Sequence, residues 1–283
     1  MGGVHMIKSM LQKIFNVVLP CIFSNKSKFI PWHWKGVGCA VRGERHTRSG
    51  STTPCQDAFC YQEKWRPCAV VCDGAGSSEL SQIASRSVAD NLLSWIQANP
   101  YMIQKALDCA SYSENEELPS LVMQRCATSL RNQSESTGLE AQLLRTTLSL
   151  FVVGKDRSFW LCVGDSPLCV RQAEKWLCLN QNSKGEFANT THFLELDAKR
   201  TRFQYGFIPT DAVQAVAVFT DGAAERLLGP NSKVAPAVDR MVSDLLACEL
   251  HAKDLEEFLN SSNVWKMTSG DDRTLVVMAR EEG

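Results

Sequence analysis

The sequence predicts an α+β protein in which two β-sheets are covered by helices. From Val37 onward, short apolar runs alternate with turn residues, as the strands of a meander do. Helical periodicity is confined to two blocks, at about 79–134 and about 223–259. Because the helices are grouped and not interleaved with the strands, a layered α+β domain is favoured over an alternating parallel α/β fold.

The strand-like runs are bounded by glycine, proline, aspartate or asparagine, which supply the turns between them. In chain order the predicted strands are VGCAVRG (37–43), DAFCYQ (57–62), CAVVCDG (68–74), TTLSLFVVG (146–154), SFWLCVGD (158–165), PLCVRQ (167–172), KWLCLN (175–180), AVAVFTDG (215–222) and RTLVVMAR (273–280). The first helical block is interrupted by the polar run SYSENEELPS (111–120). Its apolar face is formed by Leu80, Ile83, Ala84, Val88, Leu92 and Leu93.

Composition excludes several functional classes. The chain has 283 residues, 44% of them hydrophobic, which is enough for one globular domain with a real core. The formal net charge of -1 provides no field that would attract nucleic acid or an anionic membrane. Twelve cysteines show no CxxC pair, and several lie in apolar runs. We therefore expect a cytoplasmic, reducing location without disulfides or structural zinc.

The N-terminal region is predicted to lie outside the folded domain. The run MLQKIFNVVLPCIF (10–23) is similar to a signal peptide, but Lys13 and Pro20 interrupt it and no small-residue cleavage site follows. It is too short to span a bilayer. We expect an amphipathic or poorly ordered extension over residues 1–35, a catalytic domain over 36–283, and no firm membrane anchor.

Aspartates recur at the ends of predicted strands. Asp73, Asp165 and Asp221 each follow a strand, and Asp271 and Asp272 precede the last one. If the last strand is antiparallel to the others, all of these carboxylates meet at one edge of the sheets. Such a cluster is self-repulsive unless cations neutralise it, and oxygen ligands favour Mg²⁺ or Mn²⁺ over Zn²⁺. The alternative is that each aspartate only caps the backbone of its own turn.

The motifs TPCQDAF, VVCDGAGS, TTLSLFVVG, LCVGDSP, VFTDGAAERL and SGDDRTLVV occur in this order over about residues 37–280. Together they resemble the metal-dependent Ser/Thr protein phosphatases of the 2C type, in particular the bacterial branch with a Gln-Asp pair at the start of the domain. The resemblance implies a four-layer α-β-β-α sandwich with two mainly antiparallel sheets flanked by helix pairs. It also implies two Mn²⁺ or Mg²⁺ ions in a cleft at one end.

The resemblance also implies the metal ligands. Asp73 would bridge the two ions, and the Gly74 carbonyl would ligate one of them. Asp221 and Asp271 would complete the ligands of the first ion. Asp165, in the GDS motif, matches the carboxylate that holds a third, weaker ion in family members.

The Gln56-Asp57 pair replaces the more common Glu-Asp pair of this family. Asp57 would hold a metal-bound water. The neutral amide of Gln56 removes one charge near the second ion, so Gln56→Glu is expected to strengthen Mn²⁺ binding. Asp272 stands where the family usually has asparagine, and Thr274 is expected to face the core or to orient a neighbour.

The residue that binds the substrate phosphate has several candidates near the start of the domain. The family's arginine usually lies where this chain has Thr52, and the nearby basic residues are Arg45, His46 and Arg48. A histidine at about this distance recurs in the Gln-Asp branch, so we expect His46 to bind phosphate or to protonate the leaving alkoxide. The alternative is a surface histidine without a role.

The expected reaction is hydrolysis of phosphoserine and phosphothreonine by a water activated between two ions, with Asp73, Asp57 and His46 as the catalytic residues. A cysteine nucleophile and a P-loop are excluded, because no cysteine lies in a glycine-rich loop ending in arginine and GAGSSE (74–79) has no Gly-Lys-Ser/Thr end. The expected partners are phosphorylated proteins and an opposing kinase, and we expect a monomer. Two alternatives are a phosphatase-like regulatory binding module and a regulator of a sigma-factor pathway with the same chemistry.

Overall fold

The structure, a computed structural model, describes residues 32–48, 53–78, 80–108, 116–140, 143–180 and 191–281. These residues belong to one compact unit, Trp32–Gly283. The expectation of an amphipathic or poorly ordered extension falls almost wholly on residues 1–31, which lie outside the described residues. Within the described ranges, no helix is both long enough and apolar enough to cross a membrane.

The first sheet has five strands, each antiparallel to its neighbours. In spatial order they are β1 (Trp34–Val41), β12 (Arg273–Arg280), β9 (Ala215–Phe219), β6 (Leu168–Gln172) and β7 (Lys175–Cys178). The central strands are buried on both faces, which is why their sequences are continuous apolar runs without polar alternation. The last strand β12 is antiparallel to β9, so the start of β12 lies beside the end of β9.

The second sheet also has five antiparallel strands. In spatial order they are β2 (Ala58–Gln62), β3 (Cys68–Cys72), β4 (Leu148–Val152), β5 (Arg157–Val163) and β8 (Gln204–Pro209). The two sheets pack face to face, with β12 and β9 lying over β3. This packing brings the end of β3 close to the end of β9.

Helices cover the outer face of each sheet. On the second sheet lie α1 (Ser81–Ala98), α2 (Pro100–Asp108) and α3 (Glu117–Thr137), and on the first lie α4 (Asp221–Leu227), α5 (Pro236–Leu246) and α6 (Ala252–Asn260). The smaller elements are a helical turn at Arg45–Arg48, 3₁₀ turns at Ala198–Arg200 and Pro230–Ser232, and a ribbon of β10 (Leu228–Gly229) with β11 (Lys233–Val234).

Alternate residues of each central strand face a helix layer or the other sheet. In β3, Cys68, Val70 and Cys72 belong to the apolar cluster beneath the helices, whereas Ala69 and Val71 are buried toward the first sheet. The predicted four-layer α+β sandwich is thereby confirmed. Strand β8 was not predicted, because it is a half-buried edge strand whose sequence, QYGFIP, is neither a continuous apolar run nor a clean alternation.

Candidate active site

The predicted acidic residues are brought together at one edge of the two sheets. Asp73 follows β3, Asp165 follows β5, Asp221 opens α4 after β9, and Asp271 precedes β12. Burial raises the pKa of Asp73 well above its usual range, and the negative charges of Asp57, Asp221 and Asp165 raise it further. Burial also raises the pKa of Asp221, with further contributions from Asp165 and Asp271. The strand ends therefore converge as the sequence predicted.

The backbone of Asp73 is fixed by the residues that lead into β4. Its carbonyl oxygen accepts hydrogen bonds from Thr147 N (2.8 Å) and Thr146 Oγ1 (3.0 Å), and its own N–H donates to Thr147 Oγ1 (3.0 Å). The Thr147 hydroxyl is also 3.1 Å from Ser166 Oγ, in the loop that carries Asp165. One threonine thus connects two of the acidic loops.

Gly74 is required by a close approach of two loops. A Cβ at this position would lie 2.5 Å from the backbone carbonyl oxygen of Gln56 and 2.9 Å from Ser81 Oγ. The Gln56 oxygen is a backbone atom, so relieving the clash would require the chain itself to move. Gly74 pairs with Thr146 in a short antiparallel bridge. The absence of a side chain lets the chain carry Asp73 directly into the start of α1.

Asp57 is buried and is held by two threonine hydroxyls. Thr220 Oγ1 and Thr274 Oγ1 each donate to Asp57 Oδ2 at 2.8 Å. Burial raises the pKa of Asp57 well above its usual range, and the charge of Asp272 adds to this, whereas the two hydroxyl bonds oppose it. Thr220 is the residue before α4, and its hydroxyl binds Asp57 and makes no helix-capping bond. Thr274 therefore orients Asp57, which is one of the two roles that the sequence predicted for it.

Asp272 serves as a clamp between two loops. Its Oδ1 accepts from Gly43 N and its Oδ2 from Gln56 N, both at 2.6 Å, and the residue is only 4% exposed. Two hydrogen bonds from backbone N–H groups satisfy a buried carboxylate. The clamp joins the loop after β1 to the loop before β2.

Gln56 does not have the position that the sequence suggested. The side-chain Nε2 of Gln56 donates to the Ser78 carbonyl at 2.6 Å, and its backbone carbonyl oxygen accepts from Ser85 Oγ at 2.6 Å. The residue is 2% exposed. The amide therefore anchors the loop between Gly74 and α1. A glutamate at position 56 would face the Ser78 carbonyl oxygen and not the cleft, so this geometry does not support the expectation that Gln56→Glu would strengthen metal binding.

His46 lies against the acidic pair at the start of β12. Its Nε2 is 3.8 Å from Asp271 Oδ1 and 3.8 Å from Asp272 Oδ2, and this buried nitrogen has no hydrogen-bond partner among the described residues. Arg45 Nη1 is 3.3 Å from Asp271 Oδ2, and its side chain is exposed. The Arg48 side chain and Thr52, which bear on the same prediction, lie outside the described residues.

Asp165 projects from a turn that only glycine can form without strain. Gly164 has φ +92°, and a Cβ there would lie 2.6 Å from Thr147 Cγ2 and 2.9 Å from the His192 carbonyl oxygen. Asp165 Oδ2 accepts a hydrogen bond of 2.8 Å from Thr191 Oγ1. The carboxylate is thus directed toward the segment that precedes β8.

Arg145 is a candidate site residue that sequence reasoning missed. The bridge at Gly74 places Arg145 opposite Ala75, whose N–H donates to the Arg145 carbonyl at 3.1 Å. Because side chains two residues apart share a face, Arg145 lies on the same face as Thr147 and Asp73, and its exposed guanidinium lies over the Phe193 ring, 6.0 Å from the ring centroid. The sequence shows a basic residue at 145 just before the predicted strand, but it does not show that this segment pairs with the Asp73 loop.

The donor set fits hard divalent cations by its chemistry. The carboxyl groups of Asp73 and Asp221 lie close enough for each to shift the pKa of the other, and a cation between two such carboxylates would offset their repulsion. All candidate donors are oxygens, as Mg²⁺ and Mn²⁺ prefer. Within the described residues, no three histidine, cysteine, aspartate or glutamate side chains already stand in a geometry that could hold a metal ion.

Residues 42–260 match the sequence model of a family described as protein phosphatase 2C. Among solved structures, a bacterial serine phosphatase is similar, with 16% identity and a TM-score of 0.60 over 89% of this chain and 99% of that one. The serine/threonine phosphatase Stp1 from Staphylococcus aureus is 15% identical, with a TM-score of 0.57 over 88% of this chain and 95% of that one.

The catalytic domain of the serine/threonine protein phosphatase PstP, solved with two manganese ions, is 13% identical, with a TM-score of 0.57 over 89% of this chain and all of that one. At these identities the likeness shows a shared fold. No curated protein matches the chain by sequence.

Proposed function

The chain belongs to the protein phosphatase 2C family, whose members are protein serine/threonine phosphatases, and on that premise we propose that it hydrolyses phosphoserine and phosphothreonine with two Mn²⁺ or Mg²⁺ ions. One observation carries the proposal. Burial raises the pKa values of Asp57, Asp73 and Asp221, and the negative charges of neighbouring aspartates raise them further, so keeping these groups ionised costs stability unless cations neutralise them. A domain used only as a binding module would have no physical reason to keep this cluster.

We assign Asp73 to both metal positions, the Gly74 carbonyl to one of the two, Asp221 and Asp271 to the first of them, and Asp165 to a weaker third position. When bound, the ions would supply the charge that lowers the pKa of a water between them. The PstP structure holds two manganese ions, and a further structure of this fold, RsbX, holds magnesium, which supports this choice of cations.

The chain itself orients the carboxylates. The ladder with Thr146 and Thr147 fixes the position of Asp73. The hydroxyls of Thr220 and Thr274 leave one oxygen of Asp57, Oδ1, free to accept a hydrogen bond from a water in the cleft. Such a hydrogen bond would restrict the orientation of that water, and holding a reactant in the reactive orientation lowers the barrier.

Two basic residues lie on segments that carry or pair with the acidic residues: His46 lies against Asp271 and Asp272, and exposed Arg145 lies in the segment paired with the Asp73 loop. We propose that Arg145, on the face of the Asp73 loop, binds the substrate phosphate, because an arginine fork matches two phosphate oxygens. His46 Nε2 has no hydrogen-bond partner among the described residues, and we propose that it donates a proton to the leaving oxygen of serine or threonine. The substrates are phosphorylated proteins, and an opposing serine/threonine kinase supplies them.

The test is hydrolysis of a phosphothreonine peptide by protein stripped with EDTA and reconstituted with Mn²⁺. We expect activity only with the added ion, and Asp73→Asn should abolish both the activity and the Mn²⁺ binding heat. Asp211→Asn is the matched control, since this exposed aspartate precedes β9, at the opposite end of that strand from Asp221. Full activity in the stripped protein, or full activity in Asp73→Asn, would contradict the proposal.

A further inference from the structure

Two cysteines face each other across the outer strand pair of the first sheet. Cys169 of β6 and Cys178 of β7 are direct partners in the antiparallel register. Leu179 N donates to the Leu168 carbonyl on one side of the pair. Because hydrogen-bonded and non-hydrogen-bonded pairs alternate along an antiparallel ladder, Cys169 and Cys178 form a non-hydrogen-bonded pair.

This kind of pair has the separation that a disulfide needs. Non-hydrogen-bonded partners have Cα atoms about 4.5 Å apart, with the side chains on the same face and close together. Disulfides span Cα separations of about 4.4–6.8 Å. Both cysteines belong to the apolar cluster beneath α5 and α6, and both are free thiols. Bond formation therefore requires no change of register.

The two sulfurs differ in reactivity. The contact with Cys169 lowers the pKa of the Cys178 thiol, although burial opposes this effect, whereas the same contact and burial raise the pKa of Cys169. Cys178 is also the more accessible of the two, since it is 5% exposed and lies on an edge strand, against 0% for Cys169. The thiolate is the nucleophile in cysteine oxidation, so Cys178 reacts first.

We propose that Cys169 and Cys178 form a dithiol site that a hydroperoxide oxidises to a reversible disulfide. In the first step the Cys178 thiolate attacks the peroxide, an S–O bond forms, the O–O bond breaks, and water or an alcohol leaves. In the second step the Cys169 sulfur attacks Cys178, the S–S bond forms, and the sulfenic oxygen leaves as water. The peroxide is reduced by two electrons and the two thiols are oxidised by two.

The pair is connected to the acidic cluster by hydrogen bonds without belonging to it. Asn180, two residues after Cys178, donates from Nδ2 to the Ser166 carbonyl at 2.9 Å. Ser166 Oγ is 3.1 Å from the Thr147 hydroxyl that receives Asp73 N–H. The dithiol proposal does not depend on the phosphatase proposal, since its test measures a covalent bond and not activity.

The test uses the full chain, reduced, freed of reductant and treated with hydrogen peroxide. Remaining thiols are blocked with N-ethylmaleimide, and tryptic peptides are analysed by mass spectrometry. Cleavage after Arg157, Arg171, Lys175 and Lys184 separates the two cysteines into peptides 158–171 and 176–184. We expect these peptides to be linked, and the link to disappear with dithiothreitol.

Cys162 shares the first peptide and needs a matched control. The link should persist in Cys162→Ala and be lost in Cys169→Ala and in Cys178→Ala. The wild type and Cys162→Ala decide the question even if the other two variants do not fold. Oxidation of Cys178 to sulfinic acid without a linked peptide, two thiols that stay free, or a link that is lost in Cys162→Ala would overturn the proposal.

Discussion

Replacing Thr274 by valine should weaken metal binding more than it weakens the fold. Valine has nearly the shape of threonine, so Thr274→Val removes one hydrogen bond to Asp57 Oδ2 and little else. The Asp57 carboxylate then loses one of its two donors while it stays 6% exposed. Its charged form is less well stabilised, which makes it a poorer partner for a cation and its water.

The magnitude follows from the kind of bond that is lost. A hydrogen bond to a charged group contributes about 1.5–3 kcal/mol, and every 1.4 kcal/mol is about tenfold in an equilibrium. Changes behind metal ligands typically alter metal affinity or activity about 10- to 100-fold. We therefore expect the Mn²⁺ concentration for half-maximal activity to rise by about 10- to 100-fold in Thr274→Val.

Thr220→Val should have a larger effect than Thr274→Val. Thr220 Oγ1 donates to Asp57 and also accepts the Thr274 N–H at 3.0 Å. Its loss leaves a buried backbone donor without a partner, which adds about 1–3 kcal/mol of destabilisation.

The assay is initial rate against Mn²⁺ concentration for the wild type, Thr274→Val and Thr274→Ser, with thermal unfolding as the check on folding. Serine keeps the hydroxyl and should restore most of the metal affinity. If Thr274→Val has the wild-type metal dependence while folding normally, then Asp57 does not act on the cation or its water and the assignment is wrong.

Four further predictions concern other parts of the site. Asp73→Asn should lower turnover on a phosphopeptide by on the order of 10³-fold or more, and wild-type turnover at saturating Mn²⁺ would place the chemistry elsewhere. Gln56→Glu should lower the free energy of unfolding in urea by about 1–3 kcal/mol, because its carboxylate would face the Ser78 carbonyl; unchanged stability would contradict this geometry. Arg145→Ala should raise KM for a phosphopeptide about tenfold with little change in kcat, whereas exposed Arg240→Ala on α5 should change neither. Burial raises the folded-state pKa of Asp73, so its stabilising effect is present below the ordinary aspartate pKa and is lost as the pH rises through the raised pKa. The melting temperature of the metal-free protein should therefore fall as the pH rises above the ordinary aspartate pKa, and added Mn²⁺ should reduce the fall.

The sequence by itself determined the layers and most of the strands. Central strands buried on both faces must be continuous apolar runs, and such runs are visible without any knowledge of partners. The family resemblance and the two-sheet architecture are confirmed. Aspartates at the strand ends could be expected to meet, because antiparallel neighbours bring the end of one strand to the start of the next. Their roles as metal ligands remain predictions.

Only the tertiary structure decided which side chains support these aspartates. Thr220 and Thr274 are 163 and 217 residues from Asp57, and no local periodicity links partners at such separations. The clamp of Asp272 on Gln56 and the facing of Arg145 with Ala75 have the same origin. Periodicity along the chain indicates which face of a helix or strand is buried. A hydrogen bond between two loops depends instead on how the two sheets are stacked. The stacking of the sheets is set by the packing of the whole core.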